Sequence, residues 1–258
     1  MHCENVADVY KKDKMILWLL SAFKAGFINS AGFLITGKFV SHVTGFGTQA
    51  GIAMGHSDYF FGGELILVPT FFIFGGVVTS IVLETSARKN NRPAYHYIQG
   101  LITSLILLIL LIGETGLVST TEQFDVDNRY QFMEFIVIAL LCFVCGLKNS
   151  LVTWTTFGKI RVTHLTGLST DIGLHLLGTI LPKYKNVRLK EAREVNIHRI
   201  FTLLFFSTGA FLSALVFPLM GFKAFYIALA ISLFMTIMSL ISKKSEVISG
   251  SKAMGKVT

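Results

Sequence analysis

Six long apolar runs constrain the fold of this chain more than any other feature, because each is long enough to cross a lipid bilayer as a helix. A helix needs roughly 20 apolar residues to span a hydrocarbon core roughly 30 Å thick. The sequence therefore predicts an all-α polytopic membrane protein. The six predicted transmembrane helices are Met15–Thr36, Gly62–Leu83, Ile98–Val118, Phe132–Thr156, Arg199–Met220 and Phe222–Ile241.

The composition agrees with a membrane protein and excludes an ordinary soluble domain. Of 258 residues, 52% are hydrophobic and 15% are charged, whereas soluble domains carry about 25% charged residues. The net charge of +8 comes from basic residues between the apolar runs, so it indicates membrane topology rather than nucleic-acid binding. The sequence contains no G-x-S-x-G, H-E-x-x-H or P-loop motif. We therefore expect no enzymatic activity and no cofactor.

Two shorter apolar segments, His42–Gly55 and His164–Ile180, are rich in small and polar residues. They are either re-entrant or spanning, and the loop charges bear on the choice. Basic residues cluster before the first span, after the second, before the fifth and after the last. The positive-inside rule places all four clusters in the cytoplasm. Six spans with two re-entrant segments satisfy it, whereas eight spans would put Arg88, Lys89 and Arg92 outside.

This topology predicts a single membrane domain over residues 1–258. Both termini are expected in the cytoplasm, and residues 242–258 form a basic cytoplasmic tail. The acidic loop Ser119–Gln131 is expected on the opposite side of the membrane.

The two halves of the chain resemble each other. The block Gly26–Ser30 recurs 120 residues later as Gly146–Ser150, with Asn-Ser at the end of both copies. The block His42–Gly51 recurs 122 residues later as His164–Gly173, with His, Thr, Gly, Thr and Gly in matching places. Five such matches in ten positions indicate a duplicated unit rather than shared hydrophobicity.

Each repeat contains a long helix, a short segment and two more long helices. Repeat 1 covers about 15–118 and repeat 2 about 132–241. Because three crossings is an odd number, the second repeat must lie upside down relative to the first. Inverted-topology repeats of this kind are typical of secondary transporters, whose sites lie near the midplane at the repeat interface.

The same blocks carry a family resemblance. An Asn-Ser pair late in a long helix, followed by H-x-T-G-x-x-T-x-x-G, resembles the YoaK-like bacterial membrane proteins, a family of uncharacterised function. The resemblance covers the chain from about Met15 to the last span. It implies a location in the bacterial cytoplasmic (inner) membrane and implies no established reaction or substrate.

The repeated polar residues are the candidate substrate-binding site. Thr before a new helical stretch is typical of an N-cap, and helix N-termini bind anions through free N–H groups. Each amide in the Asn-Ser pairs either binds a solute or holds the neighbouring short segment. Each second Thr of the short segments either lines a path or bonds to a carbonyl one turn back. The candidates are Asn29, Thr44, Gly45, Thr48, Asn149, Thr166, Gly167 and Thr170.

Ionisable residues inside apolar runs are costly and often functional. Lys24 lies in the middle of the first span, and we expect its partner to be Glu64, Glu114 or Asp171. Lys148 lies near the end of the fourth span and can reach an interface.

Asp171 and His175 share a helix face with His164. The alternatives for these three residues are proton coupling, a metal site or a polar stripe. We expect no metal, and Lys24, His164, Asp171 and His175 are the proton-coupling candidates. Gly47 and Gly51 have the spacing of close helix packing.

The favoured hypothesis is a transporter or channel for a small polar or anionic solute. Its partners would be the lipid bilayer and that solute, with a homo-oligomer left open. The main alternative is a membrane protein that assists another complex without transport. A membrane-embedded enzyme using His164, Asp171 and His175 is a third.

Overall fold

A computed structural model describes residues 9, 11–90, 94–116, 118, 132–180 and 187–254, and the regular elements within these ranges are all helical. The prediction of an all-α protein is confirmed for this part of the chain. The acidic loop at 119–131 lies outside it, as do residues 181–186 and the last four residues of the basic tail. The helices are α1 (Lys12–Thr36), α2 (Val43–Gly55), α3 (Tyr59–Asn90), α4 (Tyr95–Glu114), α5 (Phe132–Thr155), α6 (Leu165–Ile180), α7 (Val187–Met220) and α8 (Phe225–Met254).

Five helical stretches are long and apolar enough to cross a membrane, which indicates a membrane protein. Four of them correspond to α1, α3, α4 and α5. The fifth, Arg193–Ser242, has 50 residues and covers most of α7, a short 3-10 turn and the first part of α8. The turn begins at Gly221, whose φ of 55° lies in the left-handed region that favours glycine. The number of membrane crossings stays a prediction.

The two short segments form separate helices. α2 has 13 residues and α6 has 16. At about 1.5 Å per residue, they are roughly 20 Å and 24 Å long, which is less than a hydrocarbon core of roughly 30 Å. This length favours re-entrant segments over full spans.

Corresponding helices of the two halves make corresponding contacts. The first long helix of each half packs along the second long helix of the other, so α1 contacts α7 and α5 contacts α3. Each short helix rests on the next helix in its own half, α2 on α3 and α6 on α7. The final helices, α4 and α8, contact each other, and so do α1 and α5. Exchanging the halves leaves this set of contacts unchanged.

A Phe-x-x-Gly motif on each helix forms the crossing of α1 and α7. The motif is Phe23–Gly26 on α1 and Phe206–Gly209 on α7. A Cβ added at Gly26 would overlap the carbonyl oxygen of Phe206, and one at Gly209 would overlap that of Phe23. Each glycine therefore admits the backbone of the opposite helix at the position of the opposite phenylalanine.

The crossing of α3 and α5 repeats this arrangement with the same residue types. The motif is Phe72–Gly75 on α3 and Phe143–Gly146 on α5. A Cβ at Gly75 would lie 2.5 Å from the carbonyl oxygen of Phe143, and one at Gly146 would overlap that of Phe72. Sequence analysis missed these four motifs, although the pattern is visible in the sequence.

The glycines predicted to pack closely on α2 do not do so within the described chain. A Cβ added at Gly47 or Gly51 would meet no atom within 4 Å. That packing prediction is therefore wrong for contacts within the described chain, because α2 uses its other face, Phe46, Ala50 and Ala53, for burial.

Candidate functional site

A cavity of about 920 Å³ lies between the two repeated segments. We call it the central cavity. The start of α2 lines one part of it through His42, Val43 and Thr44, and the start of α6 lines another through His164, Leu165 and Thr166. Residues of α3 and α5 form the remaining wall, including Phe72, Gly76, Thr79, Asn149, Thr153 and Trp154. Residues that are 122 positions apart in the sequence thus line one space.

Thr44 and Thr166 line the central cavity from inside the first turn of their helices. α2 begins at Val43 after His42 in the N-cap position, which makes no side-chain capping bond. The predicted N-cap role of Thr44 is wrong because the helix starts one residue earlier. α6 begins at Leu165, so Thr166 occupies the same second position. Both threonine side chains are exposed rather than packed in the core.

Asn29 and Asn149 hold the chain just before the two short helices. The Asn29 Oδ1 accepts hydrogen bonds from the backbone N–H of Ser41 at 3.1 Å and from its hydroxyl at 2.8 Å. The Asn149 Oδ1 accepts one from the Thr163 hydroxyl at 3.1 Å. These contacts agree with the second of the two predicted roles, a bond to the neighbouring short segment. Asn149 also lines the central cavity.

The glycine of each Thr-Gly pair leaves room for a histidine ring. A Cβ added at Gly45 would lie 3.1 Å from the Nδ1 of His42, and one at Gly167 would lie 3.1 Å from the Cε1 of His164. The spacing of His and Gly that the two copies share thus has a local steric reason. A side chain at either glycine would push its histidine towards the central cavity or away from it.

Thr48 and Thr170 make the same bond in the two halves. The Thr48 hydroxyl donates to the carbonyl of Thr44 at 3.1 Å, and the Thr170 hydroxyl donates to that of Thr166 at 3.1 Å. Neither residue is among those that line the central cavity. Their geometry therefore agrees with a bond to a carbonyl one turn back.

Two smaller cavities flank the central one. The first lateral cavity, of about 210 Å³, is lined by Lys38, His42, Gly45 and Gln49 among others. The second lateral cavity, of about 280 Å³, is lined by Gly158, Lys159, Ile160, Arg161, His164, Gly167, Leu168, Asp171, Val195, His198, Arg199 and Thr202. His42 and His164 each line the central cavity and one lateral cavity. Each histidine therefore stands between two spaces.

The two lysines within the apolar helices α1 and α5 have partners that were not predicted from the sequence. Lys24 is fully buried, and its Nζ donates to the Ser232 hydroxyl at 2.6 Å. Lys148 is also buried, and its Nζ donates to the Ser21 carbonyl. The central cavity lining does not include either lysine.

Two of the three carboxylates proposed as partners of Lys24 pair elsewhere. Asp171 forms an ion pair with Arg199 at 2.8 Å, and Glu114 lies 3.9 Å from Lys223. Glu64 is the third of these carboxylates, and its Oε2 is buried without a hydrogen-bond partner in the described chain.

His164 and Asp171 line the same lateral cavity, whereas His175 does not. The His175 side chain is exposed on α6. Within the described ranges there is no group of three His, Cys, Asp or Glu residues that could hold a metal ion. The three residues are therefore not brought together as a metal or catalytic cluster in that part of the chain.

Sequence analysis overlooked the basic residues of the second lateral cavity. Lys159, Arg161 and Arg199 were interpreted only as markers of membrane topology, although Arg161 precedes His164 by three residues. The bonding residues Ser41 and Thr163 were also missed. The repeat itself contains the signal, since both are hydroxyl residues directly before the repeated histidine.

Comparison with known proteins places the chain in an uncharacterised group. A family model described as protein of unknown function (DUF1275) matches residues 17–238. No curated protein and no solved structure matches the chain. The family carries no evidence of catalysis.

Proposed function

We propose that this chain, which belongs to the DUF1275 family, is a membrane transporter or channel for a small anionic or polar solute. One observation carries the proposal. The central cavity of about 920 Å³ is lined by the first residues of both α2 and α6. The N-terminal ends of both short helices lie at this cavity. Each end therefore directs free backbone N–H groups and a partial positive charge towards the cavity. Such an arrangement favours a negative or strongly polar solute.

The proposed architecture is six spans in two inverted repeats, with α2 and α6 re-entrant. The corresponding contacts of the two halves support it, as do the matched crossings of α1 with α7 and of α5 with α3. We propose a bacterial cytoplasmic membrane location with both termini inside, from the loop charges and from the resemblance to YoaK-like proteins.

The solute would bind to the hydroxyls of Thr44 and Thr166 and to the free side of the Asn149 amide. Asn29 and Asn149 would position the two short helices through Ser41 and Thr163. Their oxygens are engaged in those bonds, so Asn29 serves as a positioning residue. Gly45 and Gly167 would keep the histidine rings in place, and the helix-bonded Thr48 and Thr170 would stabilise the first turns.

Access would alternate at the two histidines. His42 stands between the central cavity and the first lateral cavity, and His164 stands between the central cavity and the second. Rocking of one repeat against the other would move one histidine aside at a time, which is how inverted repeats give alternating access.

Among the proton-coupling candidates, His164 and Asp171 are the best placed because they share a cavity. Loss of the Asp171 charge on proton binding would remove its attraction to Arg199, 2.8 Å away, and would weaken one of the contacts that hold α6 on α7. Lys24 would act from the buried contact of α1 with α8. The exposed His175 is the least supported member of the set.

The alternative is a membrane protein that binds a partner without transport. It is favoured by the unusual exposure of α6, which has no buried residue in the described chain. Leu174 is 75% exposed and Leu177 is 73% exposed. A re-entrant helix with an apolar outer face fits lipid and fits a partner helix equally well.

Uptake by proteoliposomes tests the main proposal. The panel should contain chloride, phosphate, acetate, glutamate and glycerol, each as a tracer. We expect uptake of at least one anion, and at least a tenfold lower rate for the double variant Thr44→Val, Thr166→Val. Thr208→Val is the matched control, because Thr208 is exposed on α7 and bonds only one turn back, to Leu204 at 2.8 Å.

Folded wild-type protein that moves no solute in this panel would contradict the proposal. Equal uptake by the double variant and the control would place the pathway elsewhere.

A further inference from the structure

We propose that the second lateral cavity is a binding site for a small oxyanion, either a carboxylate or a phosphate group. Three cations, Lys159, Arg161 and Arg199, line it against one carboxylate, Asp171. Its volume of about 280 Å³ is large enough for a phosphate group with some attached structure. Arginine presents a planar fork of N–H donors that matches carboxylate and phosphate oxygens.

The cavity is built from three parts of the chain. The turn after α5 contributes Lys159 and Arg161, and it passes through Gly158, whose φ of 75° favours glycine. The first turns of α6 form a second wall. α7 provides a buried floor, with His198 only 3% exposed and Thr202 only 1%. The cavity is therefore held by packed helices and not by an isolated surface loop.

The charges within the cavity do not cancel. Arg199 is committed to Asp171 at 2.8 Å, which neutralises the carboxylate. Lys159 and Arg161 form no ion pair with any described residue, although both line the same space. Two positive charges facing a common cavity repel each other, and an oxyanion between them would relieve that repulsion.

The first lateral cavity shows that the fold does not require this charge. It occupies the corresponding place in the first half, and Gln49 stands where the second half has Asp171. Its one lysine, Lys38, is buried and lies 5.6 Å from the ring centroid of Phe61. The turn of the first half thus forms without a pair of exposed cations. Formation of the turn therefore does not explain why the second half has Lys159 and Arg161 there.

Arg161 and His164 line both the second lateral cavity and the central cavity. An oxyanion bound in the lateral cavity would therefore lie next to the central one. This adjacency makes an anion the solute class for the transporter, a step that rests on the proposed function. Binding in the lateral cavity itself does not depend on transport.

Binding is tested on the purified full-length protein in a neutral detergent. Inorganic phosphate and acetate are added at constant ionic strength with chloride as the balancing anion, and thermal unfolding is followed. A second arm adds short-chain phosphatidic acid, with phosphatidylcholine as the uncharged-headgroup control. We expect saturable stabilisation of the wild type by one of these oxyanions. A response to free phosphate or acetate identifies a soluble anion, and a response to phosphatidic acid alone identifies a lipid headgroup.

The variants are Arg161→Gln and Lys159→Gln. Both side chains are exposed, and substitutions at exposed positions usually leave the free energy of unfolding almost unchanged. We expect the concentration for half-maximal stabilisation to rise at least tenfold in each. The control is Lys223→Gln, which removes an exposed cation near Glu114, outside the cavity.

No saturable effect of any of the three oxyanions on the wild type would overturn the inference, and so would equal responses of the Arg161 and Lys223 variants. Proteoliposome uptake separates the two proposals. Uptake without oxyanion binding would overturn the inference and leave the transporter. Binding without uptake would support the inference and count against the transporter.

Discussion

Replacing Gly75 by Ala should open the crossing of α3 and α5, on which one wall of the central cavity depends. The new Cβ would lie 2.5 Å from the carbonyl oxygen of Phe143 and 2.7 Å from the backbone nitrogen of Leu147. Ordinary contacts begin at 3.4 Å, so the helices must separate by about 0.9 Å at this point. Both contacts are with backbone atoms, and no side chain can rotate away to relieve them.

Overpacking of this kind costs typically about 1–3 kcal/mol. We expect Gly75→Ala to lower the free energy of unfolding by about 2 kcal/mol, which is a factor of roughly 30 in the folding equilibrium. Gly63→Ala is the matched control on the same helix, since a Cβ there meets nothing within 4 Å. The control should gain up to about 1 kcal/mol from the higher helix propensity of alanine.

Reversible unfolding in mixed micelles measures both variants. A Gly75 variant within about 0.5 kcal/mol of the Gly63 variant, a difference typical of a neutral surface change, would refute the idea that these backbones meet at the Phe-x-x-Gly motif. A lower uptake by Gly75→Ala under conditions where it remains folded would connect the crossing to the central cavity.

The other predictions concern the polar contacts. Asn149→Ala removes the acceptor of the bond that precedes α6 and should cost about 1 kcal/mol; thermal unfolding checks this, and an unchanged midpoint would contradict it. Lys24→Met replaces a buried ammonium by an apolar side chain of similar length, so the free energy of unfolding should change by less than about 1.5 kcal/mol. Uptake should fall at least tenfold. Unchanged uptake would leave Lys24 a structural role. Arg199→Gln breaks a partly exposed ion pair worth about 0–1 kcal/mol and leaves the Asp171 carboxylate unpaired in the cavity. Phosphate stabilisation should then weaken at least tenfold and recover in part when Asp171→Asn is added; a second substitution without effect would contradict the electrostatic explanation.

The helical elements could be predicted from the sequence because length and hydrophobicity decide whether a segment can satisfy its backbone in lipid. Each of the six apolar runs and both short segments coincides with a helix apart from a few end residues, and the largest shortfall is that of Ile98–Val118, whose helix α4 ends at Glu114. The helices extend furthest beyond the apolar runs at α8, which continues to Met254, at α7, which starts at Val187, and at α3, which continues to Asn90. Polar and basic residues end an apolar run, but they do not end a helix. Hydropathy therefore predicts where the apolar part of a helix lies and not where the helix itself begins or ends.

Partners across the fold were harder to predict. The sequence offered three carboxylates for Lys24, and the structure gives it the hydroxyl of Ser232, 208 residues away. The carboxylates were chosen because opposite charges attract. A neutral hydroxyl can nevertheless accept a hydrogen bond from a buried ammonium where helix packing brings the two groups together. The sequence left two roles open for each Asn residue, and one of them, a bond near the following short segment, matches the contacts because the partners lie only 12 and 14 residues away.

The crossings of α1 with α7 and of α3 with α5 imply that a fold of this kind can be assembled from two separate copies of one half. Each half contributes one helix to each crossing. Because the first half contains α1 and α3, and the second contains the corresponding α5 and α7, each half already carries both surfaces that a crossing needs. With the inverted topology proposed above, a chain of half this length would be able to pair with a second copy of itself in the opposite orientation. The long polypeptide differs from that pair chiefly in tying the two copies together, which lets one half acquire Arg161 and Asp171 while the other has no such charges at the corresponding positions.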